Sequence, residues 1–171
     1  ITQEQVVPMM NIGTEKWLDL AKKIKEADAG DEQFEHVYLI DDFTASGTTF
    51  IRFKGDEWKG KLQKFNDMLI RARKEVEAQG KTFPIIENYA LHIHHYISTA
   101  QAHEALRQRT ERANREWADR TFGSIDVTQG TLLPASLKLG VGRDDAVIAL
   151  CEKYYNHDLY LRLMEHASEA E

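Results

Sequence analysis

At 171 residues the chain is long enough for one domain with a substantial apolar core. Its 42% hydrophobic and 29% charged residues describe an ordinary globular protein, and a net charge of −6 argues against a large nucleic-acid footprint, which needs a basic surface. A single cysteine, Cys151, excludes an internal disulfide framework and leads us to expect a reducing, cytoplasmic setting; no apolar run reaches membrane-spanning length.

The chain opens on Ile1 rather than methionine, and the expectation is a fragment of a longer protein. Thr14 and Glu15, followed by Trp17, Leu18, Leu20, Ala21 and Ile24, give helical spacing behind a capping hydroxyl. Turn residues at 28–31 separate this helix from an apolar strand over residues 36–40. Phe50, Ile51, Arg52 and Phe53 follow, and then Gly55 and Gly60. From Asp56 onward Trp58, Leu62, Phe65, Leu69, Ala72 and Val76 predict one face of a helix that stops at Gly80.

Pro84 precedes a strand over residues 85–97, with Tyr89, Leu91, Ile93 and His95 on one face and Ala90, His92, His94 and Tyr96 on the other. Thr99 opens a helix running to about Arg120. Residues 122–139, with Gly130 and Pro134, are expected to form loop plus one or two short strands. Asp144 and Asp145 begin another helix through Ala149, Leu150 and Tyr154; residues 156–158 interrupt it before a last helix ending at Glu171. Strand, helix, strand, helix predicts right-handed βαβ units around a parallel sheet, in a single α/β domain over residues 1–171.

One stretch carries chemistry. Val37, Tyr38, Leu39 and Ile40 end in Asp41 and Asp42; Phe43, Thr44, Ala45, Ser46, Gly47, Thr48 and Thr49 then form a loop of hydroxyls around one glycine. In open parallel sheets ligands bind beyond the carboxyl ends of strands, where the two acids are expected. Adjacent strand residues point to opposite faces, so Asp41 and Asp42 have separate jobs: one meets ribose hydroxyls or holds Mg²⁺ through water, while the other orients the loop or meets the ion from beyond. The loop offers hydroxyls and backbone N–H groups to a phosphate, Gly47 allows close approach, and a helix N-terminus just beyond is expected to add positive charge. The plainer reading is a helix cap with neighbouring turn residues, since Ser and Thr favour both places. A P-loop is excluded, because no lysine follows Gly47.

Residues 37–49 resemble the binding signature of type I phosphoribosyltransferases: apolar residues, two acids, four variable residues, then glycine with threonines. The resemblance implies a Rossmann-like parallel-sheet fold with flanking helices, here lacking its N-terminal part. It implies that Thr44 to Thr49 with Phe43 hold the 5′-phosphate of phosphoribosyl pyrophosphate, and that Asp41 and Asp42, as catalytic acids and Mg²⁺ partners, contact the ribose. The reaction transfers the ribosyl carbon from pyrophosphate to a nitrogen acceptor through an oxocarbenium-like state, which asks for electrostatic positioning. Thr2, Gln3, Glu4, Gln5 and Val6, together with Ala149, Leu150, Cys151, Glu152, Lys153, Tyr154 and Tyr155, are similar to phosphoribosyltransferase-like domains of prokaryotic antiphage systems. That implies a nucleotide ligand within a homodimer or larger defence assembly. Family members grip pyrophosphate with a loop well before the acids; the 36 residues before Val37 hold no candidate for it. The alternative expectation is therefore a non-catalytic nucleotide-sensing or interaction module.

The remaining signals have ordinary readings. His92 and His94 share a face at a spacing zinc can use, but the segment holds no cysteine or acidic ligand, so local hydrogen bonding is the default. Arg107, Arg109, Arg112, Arg115 and Arg120 interleave with Glu104, Glu111, Glu116 and Asp119, as on a solvated helix with i,i+4 pairs. Trp17, Trp58 and Trp117 are expected at helical core positions, and Cys151 in packing.

Overall fold

The computed structural model describes residues 5–7, 12–26, 33–154, 156–158 and 161. The turn expected at 28–31, the last helix expected to reach Glu171, and the flanking residues Thr2, Gln3, Glu4 and Tyr155 lie outside them. The elements run α1 (Thr14–Glu26), β1 (Phe34–Thr44), β2 (Arg52–Lys54), β3 (Glu57–Lys59), α2 (Lys61–Glu77), β4 (Ile85–Thr99), α3 (Ala100–Glu116), β5 (Phe122–Leu133) and α4 (Asp145–Tyr154). β1, β4 and β5 form a three-stranded parallel sheet in that order, and β2 with β3 makes a separate antiparallel hairpin. The chain is an α/β domain. Among the described residues no helix is long and apolar enough to cross a membrane.

Pleating sorts β4. Tyr89, Leu91, Ile93 and His95 are buried, while Ala90, His92, His94 and Tyr96 lie on the opposite face. The buried set packs with Leu62, Phe65, Leu69 and Val76 of α2, Leu106 and Ala113 of α3, and Trp17 and Leu20 of α1 in one apolar core. All three helices therefore cover one face of the sheet. On the other face Tyr38, Ile40 and Tyr96 are each more than half exposed. Parallel sheets are ordinarily covered on both faces; among the described residues no helix covers the second face of this one.

Four expectations about elements and packing are corrected. Residues 55–60 do not start a helix: Gly55 and Asp56 both adopt positive φ, the requirement of a two-residue hairpin turn, and α2 begins only at Lys61. Trp58 accordingly lies on β3, stacked on Trp117 with ring centroids 5.5 Å apart. Residues 122–133 are one continuous edge strand, not loop with short strands, because Ile125 and Val127 pack on the core and β5 pairs along most of β4. Gly130 belongs there: a Cβ would meet the Tyr96 carbonyl oxygen at 2.9 Å. Finally, Cys151 is exposed, and no side chain of α4 is buried. The helix that ends near Arg120 by spacing ends at Glu116, where Trp117 turns extended and buries its ring.

Ile93 is fully buried at the centre of the central strand. Ile93→Ala should cost about 2–5 kcal/mol, read from the urea midpoint with unchanged slope. A loss below about 0.5 kcal/mol would mean that the core does not depend on this strand.

Candidate functional site

The acids lie within β1, not after it. Strand pairing continues through Asp41↔His95, Phe43↔Ile97 and Thr44↔Ser98. Asp41, on the covered side, forms an ion pair with Lys61 at the first residue of α2. Asp42, on the opposite side, is exposed and accepts the Phe43 N–H at 2.7 Å. The alternation predicted from sequence thus separates the two carboxylates. They do not converge on a common point, and among the described residues no group of three or more His, Cys, Asp or Glu side chains is placed to hold a metal. His92 and His94 share the open face as expected, but with local partners: His36 Nδ1 lies 3.0 Å from His92 Nε2, Tyr38 stacks on His92, and His94 Nδ1 lies 2.9 Å from the Thr128 hydroxyl.

Beyond Thr44 the chain folds into a compact loop. The Gly47 N–H donates to the Thr44 hydroxyl at 3.2 Å, and the Ser46 and Thr48 hydroxyls meet at 2.8 Å. Gly47 has φ +70°, and a Cβ there would sit 2.8 Å from Leu106 Cγ, so the loop presses on α3 where only glycine fits. The loop leads not straight into a helix but into the hairpin; two helix N-termini nevertheless reach it. The Lys61 N–H donates to the Thr49 carbonyl at 3.1 Å and the Leu62 N–H to the Phe50 carbonyl at 3.0 Å. Thr99, the cap of α3, accepts the Ala102 N–H at 3.0 Å and donates its hydroxyl to the Ala45 carbonyl at 2.7 Å.

Three cations join the helix ends. Arg109 donates to the Ser46 carbonyl at 3.3 Å, Arg52 to the Thr48 carbonyl at 3.2 Å, and Lys61 reaches Asp41. In a chain of net charge −6, two helix ends, two guanidiniums and an ammonium meet at this loop, the ammonium paired with Asp41. Such a set suits an anion with several oxygens. Burial holds the Arg109 guanidinium below its ordinary value. The half-exposed Lys61–Asp41 pair adds little stability; its meaning lies in where it places the ammonium.

Sequence reasoning missed Lys61, Arg52, Arg109 and Thr99 as parts of this site. Arg109 was hidden among neighbouring arginines that do pair along the helix: Arg107 with Glu104 and Glu111, and Arg112 with Glu116. Arg109 has no carboxylate at i±4, since positions 105 and 113 are alanines, and that gap was the available signal. Beneath the acids, His95 is 1% exposed, and its Nε2 and the Oε1 of its strand neighbour Gln129 are buried with no partner among the described residues. Phe50 packs edge-on against the imidazole. These two atoms remain for a water or ligand to satisfy.

A cleft of about 410 Å³ lies elsewhere, lined by Phe53, Trp58, Asn66, Trp117, Asp119 and neighbouring acids; none of residues 41–49 reaches it. Asn66, 1% exposed, spends both ends of its amide on Asp119 and Thr121, as befits a structural residue. Comparison with family models, with curated proteins and with solved structures gave no match to this chain.

Gly47→Ala should cost about 1–3 kcal/mol, because positive φ and the Leu106 contact are both violated. For a domain of this size that lowers the melting temperature by roughly 3–10 °C, readable by calorimetry. An unchanged melting temperature would show that the loop is not held against α3. His95 gives a second test. Burial pushes its imidazole below the ordinary 6.5; Asp41 and Asp42 raise it, while Lys61 and His94 lower it further. The folded chain therefore binds this proton less readily than the unfolded chain, and stability should fall as pH drops below about 6.5. The urea midpoint should decline from neutral towards mildly acidic pH, and less steeply for His95→Leu; equal slopes in the two proteins would remove His95 as the cause.

Proposed function

We propose that this chain is a phosphoribosyltransferase-like domain that binds phosphoribosyl pyrophosphate, or the ribose phosphate of a nucleotide, at the carboxyl end of β1. One observation carries the reading: a hydroxyl loop, at the end of a parallel strand, on which two helix N-termini and three cations converge. The resemblance of residues 37–49 to the phosphoribosyltransferase signature supports the same ligand. Thr44, Ser46, Thr48 and Thr49 with Gly47 receive the 5′-phosphate. Asp41 accepts ribose hydroxyls, and Lys61 is then free to turn to the phosphates. Asp42 lies on the opposite side, so the two acids do not chelate one ion directly. Were Mg²⁺ to accompany the ligand, Asp41 is the carboxylate that would help to hold it, and the ion would neutralise phosphate charge there.

If the site transfers a phosphoribosyl group, its residues act by position and charge. Arg52 and Arg109, at the loop, meet the 5′-phosphate; Lys61, beside Asp41, is the cation for the departing pyrophosphate oxygens, and Asp41 stabilises the ribose as positive charge develops at its anomeric carbon. The alternative, binding without transfer, is favoured by a specific observation. The cations that reach the acids and the loop, Arg52 on β2, Lys61 on α2 and Arg109 on α3, all follow β1, whereas family members grip pyrophosphate with a loop well before the acids.

Calorimetric titration with phosphoribosyl pyrophosphate and Mg²⁺ should give saturable heat. Arg109→Ala and Lys61→Ala should each weaken binding by roughly 10- to 100-fold, the worth of one charged hydrogen bond. Asp41→Asn should weaken the sugar phosphate more than inorganic phosphate. No heat from the folded chain would end the proposal; heat without pyrophosphate release in the presence of nucleobases or amines would select the non-catalytic form.

A further inference from the structure

The cleft of about 410 Å³ has aromatic walls and charge of one sign. It lies between the β2–β3 hairpin, the first turns of α2 and the C-terminal end of α3. Its size is that of a small-molecule site. Phe53, Trp58 and Trp117 supply the apolar surface; the two indoles stack 16° from parallel, and Phe53 meets Trp58 edge-on at 5.0 Å. Asp56, Glu57, Asp67, Glu116 and Asp119 supply negative charge, and among the described residues no lysine, arginine or histidine lines the space. α3 adds to the sign. Its N-terminus meets the hydroxyl loop through Thr99, and its C-terminal end, the negative pole of the helix, closes the cleft at Glu116 and Trp117. One helix thus carries its positive pole at the loop and its negative pole here, about 25 Å away.

The chain itself shows how this wall treats a cation. The Arg112 guanidinium sits 4.2 Å from the centre of the Phe53 ring and 5.8 Å from that of Trp58, and its Nε donates to Glu116 at 2.6 Å. A ring face and a carboxylate together hold a guanidinium there. Of the other acids, Glu57 pairs with Lys59, and Asp67 accepts from Gln63. Asp56 and Asp119 are exposed, and among the described residues no cation or donor is paired with either carboxylate. The combination of ring and acid that holds Arg112 is therefore repeated inside the cleft and unspent. No three of these acids gather on one point to hold a metal ion. A cation with an organic body, able to lie along the rings and reach separate carboxylates, is the fit.

We propose that this cleft binds an organic cation, a guanidinium or alkylammonium group carried on a flat or aliphatic body. The group arrives as a free amine or as an arginine side chain of another protein, and the chemistry that receives it is the same. The site stands at the far end of α3 from the hydroxyl loop and does not rest on the phosphate reading.

Two probes separate the sources: agmatine, and a glycine–arginine–glycine peptide blocked at both ends. Each is titrated into the whole chain and followed by tryptophan fluorescence, since Trp58 and Trp117 line the cleft. Both should bind saturably and weaken as salt is raised. Tighter binding of agmatine assigns the site to a free amine, and tighter binding of the peptide to a protein side chain. The same peptide with citrulline for arginine keeps the shape and loses the charge, and should bind at least about tenfold more weakly. That comparison needs no variant to fold. Asp56→Asn with Asp119→Asn should weaken both probes about tenfold and leave binding of phosphoribosyl pyrophosphate as it was. The melting temperature should hold, because asparagine also accepts the positive φ of position 56. Equal binding of the citrulline peptide, no saturable signal from either probe up to about 10 mM, or unchanged affinity in the double variant would each overturn the site.

Discussion

The two-residue period of β4 is the constraint on which the rest depends. Because β4 pairs with both β1 and β5, the alternation that buries Tyr89, Leu91, Ile93 and His95 sets the facing of every residue on its neighbours. A slip of one residue would turn the core outward and would also exchange Asp41 and Asp42 between faces. The position of Asp41 beside Lys61 is therefore a consequence of packing several residues away, and core and site cannot vary independently.

The loop after β1 owes its form to what surrounds it. Short hydroxyl-rich loops have many accessible conformations, and ordering one costs entropy that its own hydrogen bonds hardly offset. Here the offset comes from outside: Thr99 and Arg109 tether Ala45 and Ser46 to α3, and the first turn of α2 takes the carbonyls of Thr49 and Phe50. Helix ends that need acceptors and a loop that needs anchors satisfy one another. The same contacts bring helix N-termini and the Arg109 guanidinium to one spot on an acidic molecule, so the structural role of the loop and its proposed chemical role share one cause.

A sheet covered on one side also changes how the exposed residues are understood. His36, His92 and Tyr38 cluster through a ring contact and a hydrogen bond, while His94, which zinc spacing would join to His92, meets the Thr128 hydroxyl. Seen on the face, they are the polar part of a surface whose apolar members are Ile40 and Tyr96. Large apolar side chains in such a patch mark contact surfaces more often than reactive centres.

How much was legible follows from the range of the interactions involved. Side-chain periodicity is local, so the sequence determined α1, the core helices, the two faces of β4, the cap at Thr99 and the opposite facing of Asp41 and Asp42. It misjudged residues 55–60, where two positive-φ positions outweigh the helical spacing of Trp58 and Leu62, and residues 122–133, where pairing to β4 overrides a glycine and a polar composition. Only the tertiary structure decided that α2 and α3 would both begin at the hydroxyl loop, that Lys61 would find Asp41 across twenty residues and Arg109 would find Ser46 across sixty-three, and that Tyr38, Ile40 and Tyr96 would share one exposed sheet face. Such contacts join residues far apart in the chain; the missing carboxylates at i±4 mark Arg109 as unspent, but no local pattern names its partner.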